Sequence, residues 1–590
     1  MSRVTMVLSI AVVAGCSGGM TPPPFGVPIT GGTLLLTRSG KTAVVSDPDR
    51  DRIATVDLAT GATLAEIPLT PGDEPGRVVE DDAGRLHVAL RRGGALLTLA
   101  DATSGGAAAR RFACAEPRGL AWEAATDSIH VACAGGELVT FPAAGGDARR
   151  RRRLDRDLRD VVVSGDRLVI TRFRSAEALV VDASGAVIQR LAPPPVFRFA
   201  GDIAFALPGE AVASVAWRAI GLPGGTVMVS HQRAVERVLG DDDRTPGGYG
   251  GSCNKGPVEA ALTMLPPGGQ PPVALAPIAS GALPVDFAAS PDGTRMALVL
   301  AGQKTVTVMD APTVVSRSDQ ERCGGGDEDD DDGDDDLDPD LGAPTSAAFT
   351  PLGDLVIFYP ERPALVVREP SGGKRLIPLS GELSRDPGRA IFHAQTQLQL
   401  ACASCHPEGR DDGHVWQFAV SGARRTQSLA GDLLERAPFH WSGDMRSLDV
   451  LMDDVFSLRM SGGPVTPHQK AGLAAFLGRI PAPAPAPAAE PTAIERGRAI
   501  FESAAAGCAT CHGGALLTNH QLVDVGTGGR FKVPSLVGVG ARAPYMHDGC
   551  AATLADRFSL SGCGGGDAHG RTSQLSQAEV ADLIAYLESI

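Results

Sequence analysis

Cys402-Ala403-Ser404-Cys405-His406 and Cys508-Ala509-Thr510-Cys511-His512 are two copies of Cys-x-x-Cys-His. The pattern is the attachment signature of a c-type haem. On one helical turn, side chains at i and i+3 point the same way, so two thiols can bond one porphyrin edge. The His that follows stands where it can give the iron an imidazole. A zinc site or a thioredoxin-like dithiol needs no His directly after the second Cys. The motifs therefore predict two covalently bound haem c groups. Cys402, Cys405, Cys508 and Cys511 are the attachment points, and His406 and His512 the proximal iron ligands.

The flanks of the motifs also match. Gly388-Arg389-Ala390-Ile391-Phe392 precedes the first, and Gly497-Arg498-Ala499-Ile500-Phe501 the second. Another His, His414 or His520, follows each haem His by eight residues. Ala437-Pro438-Phe439-His440-Trp441-Ser442-Gly443-Asp444 answers Ala543-Pro544-Tyr545-Met546-His547-Asp548-Gly549. His440 lies 34 residues past His406, and His547 35 past His512. Each copy closes on an apolar helical stripe: Leu473, Phe476, Leu477 and Ile480, then Val580, Leu583, Ile584 and Leu587. Capping boxes open both stripes, Thr466 with Gln469 and Ser576 with Glu579. A Pro-Ala repeat beginning at Pro481 reads as a stiff spacer. So 386–480 and 494–590 read as two mainly α-helical cytochrome c domains, joined by a Pro/Ala linker over 481–493.

Over residues 385–590 the chain resembles the bacterial di-haem cytochrome c peroxidases and their MauG-like relatives. The paired motifs carry this, with Phe531-Lys532-Val533-Pro534-Ser535-Leu536 and the string from Ala543 to Gly549. The resemblance implies a haem-dependent oxidoreductase. One iron would keep an open or displaceable position, and the other would store an electron. Family members usually place a Met or Tyr ligand fourteen residues past the second loop His. Here that position is Ser561, a departure from the pattern.

Other sixth ligands are at hand. For the first haem they are Met460, Met445, His414 and His440; for the second, His569, Met546, His547 and His520. Met460 stands just before the closing helix, where a Met ligand would raise the iron's potential. His569 stands in a Gly-rich loop past Ser561. Met460 and His569 are the preferred sixth ligands. His440 and His547, in the matching loops, are candidate catalytic residues for proton transfer at a haem edge; the alternative is a His that braces its loop. Trp416 and Trp441 suit either electron relay or core packing.

The 590 residues carry 69 Asp and Glu against 54 Lys and Arg, a net charge of −15. That balance argues against a nucleic-acid partner. The run Arg149 to Arg153 reads as an exposed loop or strand edge. At the amino end, Arg3 precedes an apolar run, Val4 to Val13, too short to span a bilayer. Val13-Ala14-Gly15-Cys16 resembles a lipobox. The expectation is a lipoprotein signal peptide over 1–16, lipid on Cys16 and a flexible tether over 17–30, with an ordinary secretory signal as the alternative. The protein would then be exported and lipid-anchored in the bacterial cell envelope, touching membrane only through its lipid. Of 11 Cys, one then goes to lipid and four to haem. The others suit disulfides outside the cytoplasm. Their order suggests Cys114–Cys133, Cys253–Cys323 and Cys550–Cys563, with free buried thiols as the alternative.

Residues 31–385 have another texture. Short runs such as Ala43-Val44-Val45, Ile53-Ala54-Thr55-Val56 and Leu168-Val169-Ile170 are split by Gly, Asp and Pro, which argues all-β architecture. Asp-led turns recur at Val56-Asp57-Leu58-Ala59-Thr60-Gly61, Asp101-Ala102-Thr103-Ser104-Gly105 and Asp182-Ala183-Ser184-Gly185, with later copies near Asp310 and Glu369. Asp57 and Asp101 are 44 residues apart, a spacing that suits one β-propeller blade per repeat. About seven blades fit, and the region resembles secreted bacterial propellers with a D-x-x-T-G turn per blade. The stretch 195–285 is irregular and carries a Gly- and Asp-rich insertion from Gly240 to Gly256. A second insertion, 327–340, is almost wholly acidic, which suits either calcium or a solvated, self-repelling loop.

The expected function is a di-haem oxidoreductase that reduces a small oxidant such as hydrogen peroxide or oxidises a redox partner protein. The alternative is a non-catalytic di-haem electron-transfer lipoprotein whose propeller docks its partner.

Overall fold

The computed structural model describes residues 26–103, 105–106, 109–198, 209–241, 247–250, 256–275, 281–310, 341–485, 490–559 and 562–590. The expected signal segment with Cys16, the expected Cys253–Cys323 pair, the acidic run 327–340 and Ser561 lie outside the described residues.

Residues 34–378 form seven antiparallel sheets that follow one another along the chain. In the first, Leu34–Leu36, Thr42–Asp47, Arg52–Asp57 and Thr63–Pro68 pair in sequence order. The second (75–112), third (117–153), fourth (158–191) and seventh (346–378) repeat this four-strand meander. Three strands of the sixth, within 284–310, are described. Middle strands such as Leu86–Leu90 are buried along their whole length, because neighbouring sheets cover both faces. The outer strand Thr63–Pro68 alternates exposed and half-buried positions, as a strand with one face in water does.

Apolar seams join the sheets into a ring. Val44 and Ile53 of the first sheet pack with Leu86 and Val88 of the second. Ala89 and Leu96 then meet Leu120 and Ile129 of the third, and similar seams lead through the fourth, fifth and sixth. Val356 and Phe358 of the seventh pack on Ala43 and Val56 of the first. There Thr33 Oγ1 meets Ser346 Oγ at 2.9 Å. The arrangement is propeller-like.

The Asp-led repeats are Asx turns. Asp57 Oδ1 accepts from the Thr60 N–H and hydroxyl, both at 2.8 Å, and Gly61 takes a φ of 73°. Asp101 with Thr103 and Asp182 with Ser184 do the same. The fifth sheet broke the pattern because it is built differently. Its long strands Gly209–Gly221, Val227–Val235 and Val258–Leu265 use Pro-Gly-Gly turns at Pro223–Gly225 and Pro267–Gly269. The basic run forms Arg150–Arg153, the outer strand of the third sheet.

Two helical modules follow. Their leading helices, Pro387–His393 and Pro491–Glu502, cross the closing helices Pro467–Leu477 and Gln577–Glu588. Both crossings use glycine: a Cβ on Gly388 would collide with the Gly472 carbonyl, and one on Gly497 with the Asp582 carbonyl. Both capping boxes form as the sequence suggests. Cys114–Cys133 and Cys550–Cys563 are disulfides, and Cys402, Cys405, Cys508 and Cys511 are free thiols. Among the described residues, no helix is long and apolar enough to cross a membrane.

Two connecting segments differ from expectation. The described end of the 17–30 tether, residues 26–30, is buried. Val27 and Ile29 are apolar and find cover there, while Ile29 N–H donates to His393 Nε2 at 3.1 Å and Gly26 N–H to the Arg479 carbonyl at 3.0 Å. The Pro/Ala linker lies against the ring, where Ala484 N–H donates to Glu116 at 3.2 Å. The helix after it already starts at Pro491, a residue suited to a first helical position.

Candidate functional site

Cys402–Cys405 form one helical turn and His406 follows it. His406 Nδ1 lies 3.2 Å from the Arg410 carbonyl, which can only accept. Nδ1 therefore carries the proton, and Nε2 keeps a lone pair for a metal. His512 repeats the device, with Nδ1 3.1 Å from the Leu517 carbonyl. Burial lowers the pKa of both imidazoles and keeps them neutral. Two free thiols and a lone-pair imidazole in each module are the donor set a c-type haem requires, so the residues present fit that group.

His569 faces His512, with ring centroids 6.3 Å apart and planes inclined at 37°. Its Nδ1 lies 3.2 Å from the Gly564 carbonyl, so its Nε2 is also left as a donor. Two metal–nitrogen bonds of about 2 Å, with the half-width of each ring, span roughly this separation. Burial, Arg557 and His512 push the His569 pKa down to about 3.

Beside the first motif lies a cavity of about 300 Å³, bordered by Cys402, Cys405, His406 and Met460. Three parts of the chain build it. Lys532 and Arg542 come from the second module, and Tyr249 from the insertion in the fifth sheet. The insertion reaches the first module because Val238–Leu239 pairs in parallel with Gln417 and Phe418. Asp241 then accepts from the N–H groups of Val420 and Ser421 at 2.8 and 2.9 Å. Tyr249 N–H donates to the Arg459 carbonyl at 3.0 Å, and burial pushes the Tyr249 phenol up to about 12.

The loop after His406 enters the centre of the sheet ring. Glu408 is buried among three guanidiniums: Arg159 at 2.6 Å, Arg91 at 3.0 Å and Arg118 at 3.0 Å. Burial alone would raise its carboxyl, yet Arg118, Arg91 and Arg159 hold it well below its ordinary value. Its φ is 54°, whereas the same place in the second module is Gly514 at 77°. A non-glycine residue in that region costs about 1 kcal/mol, which the ion cluster offsets. Arg410 with Glu116 at 2.6 Å and Arg174 with Asp411 at 2.8 Å add to the junction. Gln232 Nε2 also donates to the Ser404 carbonyl at 2.7 Å, bracing the haem-motif turn itself.

The loop histidines need a correction. The bridges Phe439–Met445 and Tyr545–Ala551 fix the register of the two loops, and φ is positive at His440 and Met546. His440 therefore corresponds to Met546, and Trp441 to His547; the one-residue difference in spacing had hidden this. His440 borders the first cavity and pairs with Asp444 at 3.2 Å. His547 lies in the seam between modules, stacked on Phe531 at 3.9 Å and 6.4 Å from Trp441. His414 packs on Trp416 at 4.3 Å, and His520 Nδ1 donates to the Ala437 carbonyl at 3.2 Å. Met445 is buried, bridges Phe439 through its backbone and is not among the residues that border the cavity. Trp416 and Trp441 both border the cavity.

Sequence reasoning missed Tyr249, Glu408 and Arg436. Tyr249 had one signal, an aromatic residue inside a Gly-rich insertion. Glu408 had another, a charged side chain where the second copy has Gly514.

Residues 494–590 match the cytochrome c family, so the chain carries a cytochrome c domain at its C-terminal end. Hydrazine synthase subunit gamma of Kuenenia stuttgartiensis is 27% identical over 313 residues, covering 42% of this chain and 86% of the relative. Cytochrome-c peroxidase IdrP1 of Denitromonas iodatirespirans is 39% identical over 67 residues, 10% of this chain and 18% of that protein. Among solved structures, hydrazine synthase of Kuenenia stuttgartiensis aligns at a TM-score of 0.43 and 15% identity, over 62% of this chain and 99% of the other. Virginiamycin B lyase from Staphylococcus aureus aligns at a TM-score of 0.36 and 11% identity, over 56% and 91%.

Proposed function

We propose that this protein is a di-haem c-type oxidoreductase of the cytochrome c peroxidase kind, with a seven-bladed propeller holding two unlike haem sites. Its substrate would be hydrogen peroxide or a partner protein to be oxidised. In this reading it is exported and anchored through lipid on Cys16.

The observation that carries the reading is the difference between the two motifs. His512 faces a second imidazole, His569, at 6.3 Å. His406 instead shares its cavity with the thioether of Met460. A neutral imidazole pair makes a firm six-coordinate site, whereas a thioether is the weaker and more displaceable donor. The second site then suits electron storage and the first suits reaction. A bound c-type haem supplies an iron that changes charge one electron at a time.

The remaining work falls to side chains. The Nδ1 bonds of His406 and His512 fix which nitrogen each presents. His440, paired with Asp444 on the cavity wall, can hold and pass a proton. Trp441 borders the first cavity and reaches His547, which stacks on Phe531, a contact path towards the second module. The relatives described above support haem-based redox chemistry.

Fully reduced, haem-loaded protein is expected to consume hydrogen peroxide and to show a high-spin signal at the first site. Low-spin signals from both sites in every redox state, with no peroxide consumed, would favour the electron-carrier alternative.

A further inference from the structure

Arg436 ends the short turn Leu433–Arg436 in the first module and is 5% exposed. It borders the cavity beside Cys402 and His406. Its Nε and Nη2 lack a hydrogen-bond partner among the described residues. A guanidinium buried in this way is costly unless an anion joins it.

Lys532 and Arg542, two cations from the second module, border the same cavity, as do Arg424, Arg425 and Arg459 of the first. Lys532 Nζ donates to the Arg436 carbonyl at 2.6 Å. Arg542 Nε donates to the Gly538 carbonyl at 3.3 Å, and its Nη2 to the Val537 carbonyl. These partners are neutral and leave the charges uncompensated. The acids that act on Arg436 and Arg542 do not remedy this. Asp411 is already paired with Arg174 and Arg425, at 2.8 and 3.0 Å, and Asp432 is exposed. Like charges in a low-dielectric cavity repel unless an anion sits among them. Guanidinium and ammonium groups together suit carboxylates, the first by its bidentate fork.

We propose that Arg436, Lys532 and Arg542 form a carboxylate-binding wall in the first cavity, which takes the propionate groups of the haem. The proposal rests on the reading that Cys402, Cys405 and His406 hold a haem, and it adds a second role for that haem. Its carboxylates would link Arg436 of the first module to Lys532 and Arg542 of the second. Filling of the first site and docking of the second module are then coupled.

The test uses full-length, haem-loaded protein and the variants Arg436→Gln, Lys532→Met and Arg436→Lys. Haem content is measured first; a wild-type chain with one haem would sink the underlying reading and not this step alone. The propionate-bending band of the first haem is followed by resonance Raman, assigned by difference from a C402A/C405A chain. Arg436→Gln and Lys532→Met should shift that band and lower the midpoint potential of the first haem only, with Arg436→Lys intermediate. If Arg436→Gln fails to retain the first haem, Arg436→Lys and Lys532→Met carry the comparison. Added acetate should leave wild type unchanged. An unmoved band in the variants would overturn the proposal. So would an acetate effect on wild type that the variants lack, since the wall would then serve a free carboxylate.

Discussion

Glu408 Oε1 lies 2.6 Å from Arg159 Nη1, two residues past His406 and inside the ring of sheets. The contact joins the loop of the first motif to the fourth sheet, while Arg91 and Arg118 bring in the second and third. The ring thus grips the first module beside the Cys402–His406 motif. Glu408→Ala should lower the stability of that module by about 3–5 kcal/mol, because three buried guanidiniums lose their common anion. Calorimetry of wild type and variant checks this. An unchanged first-module transition would mean the cluster contributes nothing net.

Acid should loosen the same junction. Burial raises the Glu116 carboxyl, but Arg410 and Arg118 outweigh it and hold the pKa at about 2, against an ordinary 4.5. A carboxylate lowered on folding contributes fully above its unfolded value and loses that contribution as pH falls through its folded value. Stability is therefore expected to drop between pH 4.5 and about 2. Glu116→Gln should flatten that part of a melting-temperature profile. Equal slopes for the two proteins would remove Glu116 from the junction.

Gly497 marks the helix crossing in the second module, where an added Cβ meets the Asp582 carbonyl. Backbone cannot swing aside as a flexible side chain can. Gly497→Ala should destabilise that module by about 1–3 kcal/mol through forced separation of the helices. Urea denaturation followed by helical circular dichroism measures it, and a neutral result would show that the crossing can widen freely.

Cys550 and Cys563 close a loop of sequence separation 13, and His569 follows that loop directly. Replacing both with Ser should cost roughly 3 kcal/mol by freeing the unfolded chain. It should also broaden the spectroscopic signature of the second haem as His569 loses its fixed place. A sharp, unaltered signature would show that the Gly564 hydrogen bond alone positions the ring.

Much of this was legible in the residues. The Asp57, Asp101 and Asp182 turns announced a repeat because a side-chain carboxylate closing its own turn leaves a compositional mark. The capping boxes at Thr466 and Ser576 did so for the closing helices. The fifth sheet was obscure because its Pro-Gly-Gly turns share no carboxylate with the others. Register in the His440 loop was obscure for another reason. Spacing counted from His406 cannot reveal where a bridge such as Phe439–Met445 locks the backbone. The burial of Glu408 and Arg436 depends on partners far away in sequence, and local pattern carries no trace of it.

Electron paramagnetic resonance of the oxidised, haem-loaded chain and of its His569→Ala variant tests most directly whether the two sites are unlike. Wild type should show a bis-imidazole low-spin signal that disappears in His569→Ala, while the signal of the first site stays and responds only to Met460→Ala. If His569→Ala leaves every low-spin signal as it was, His569 is not the partner of His512, and the proposed division into a storing and a reacting site is contradicted.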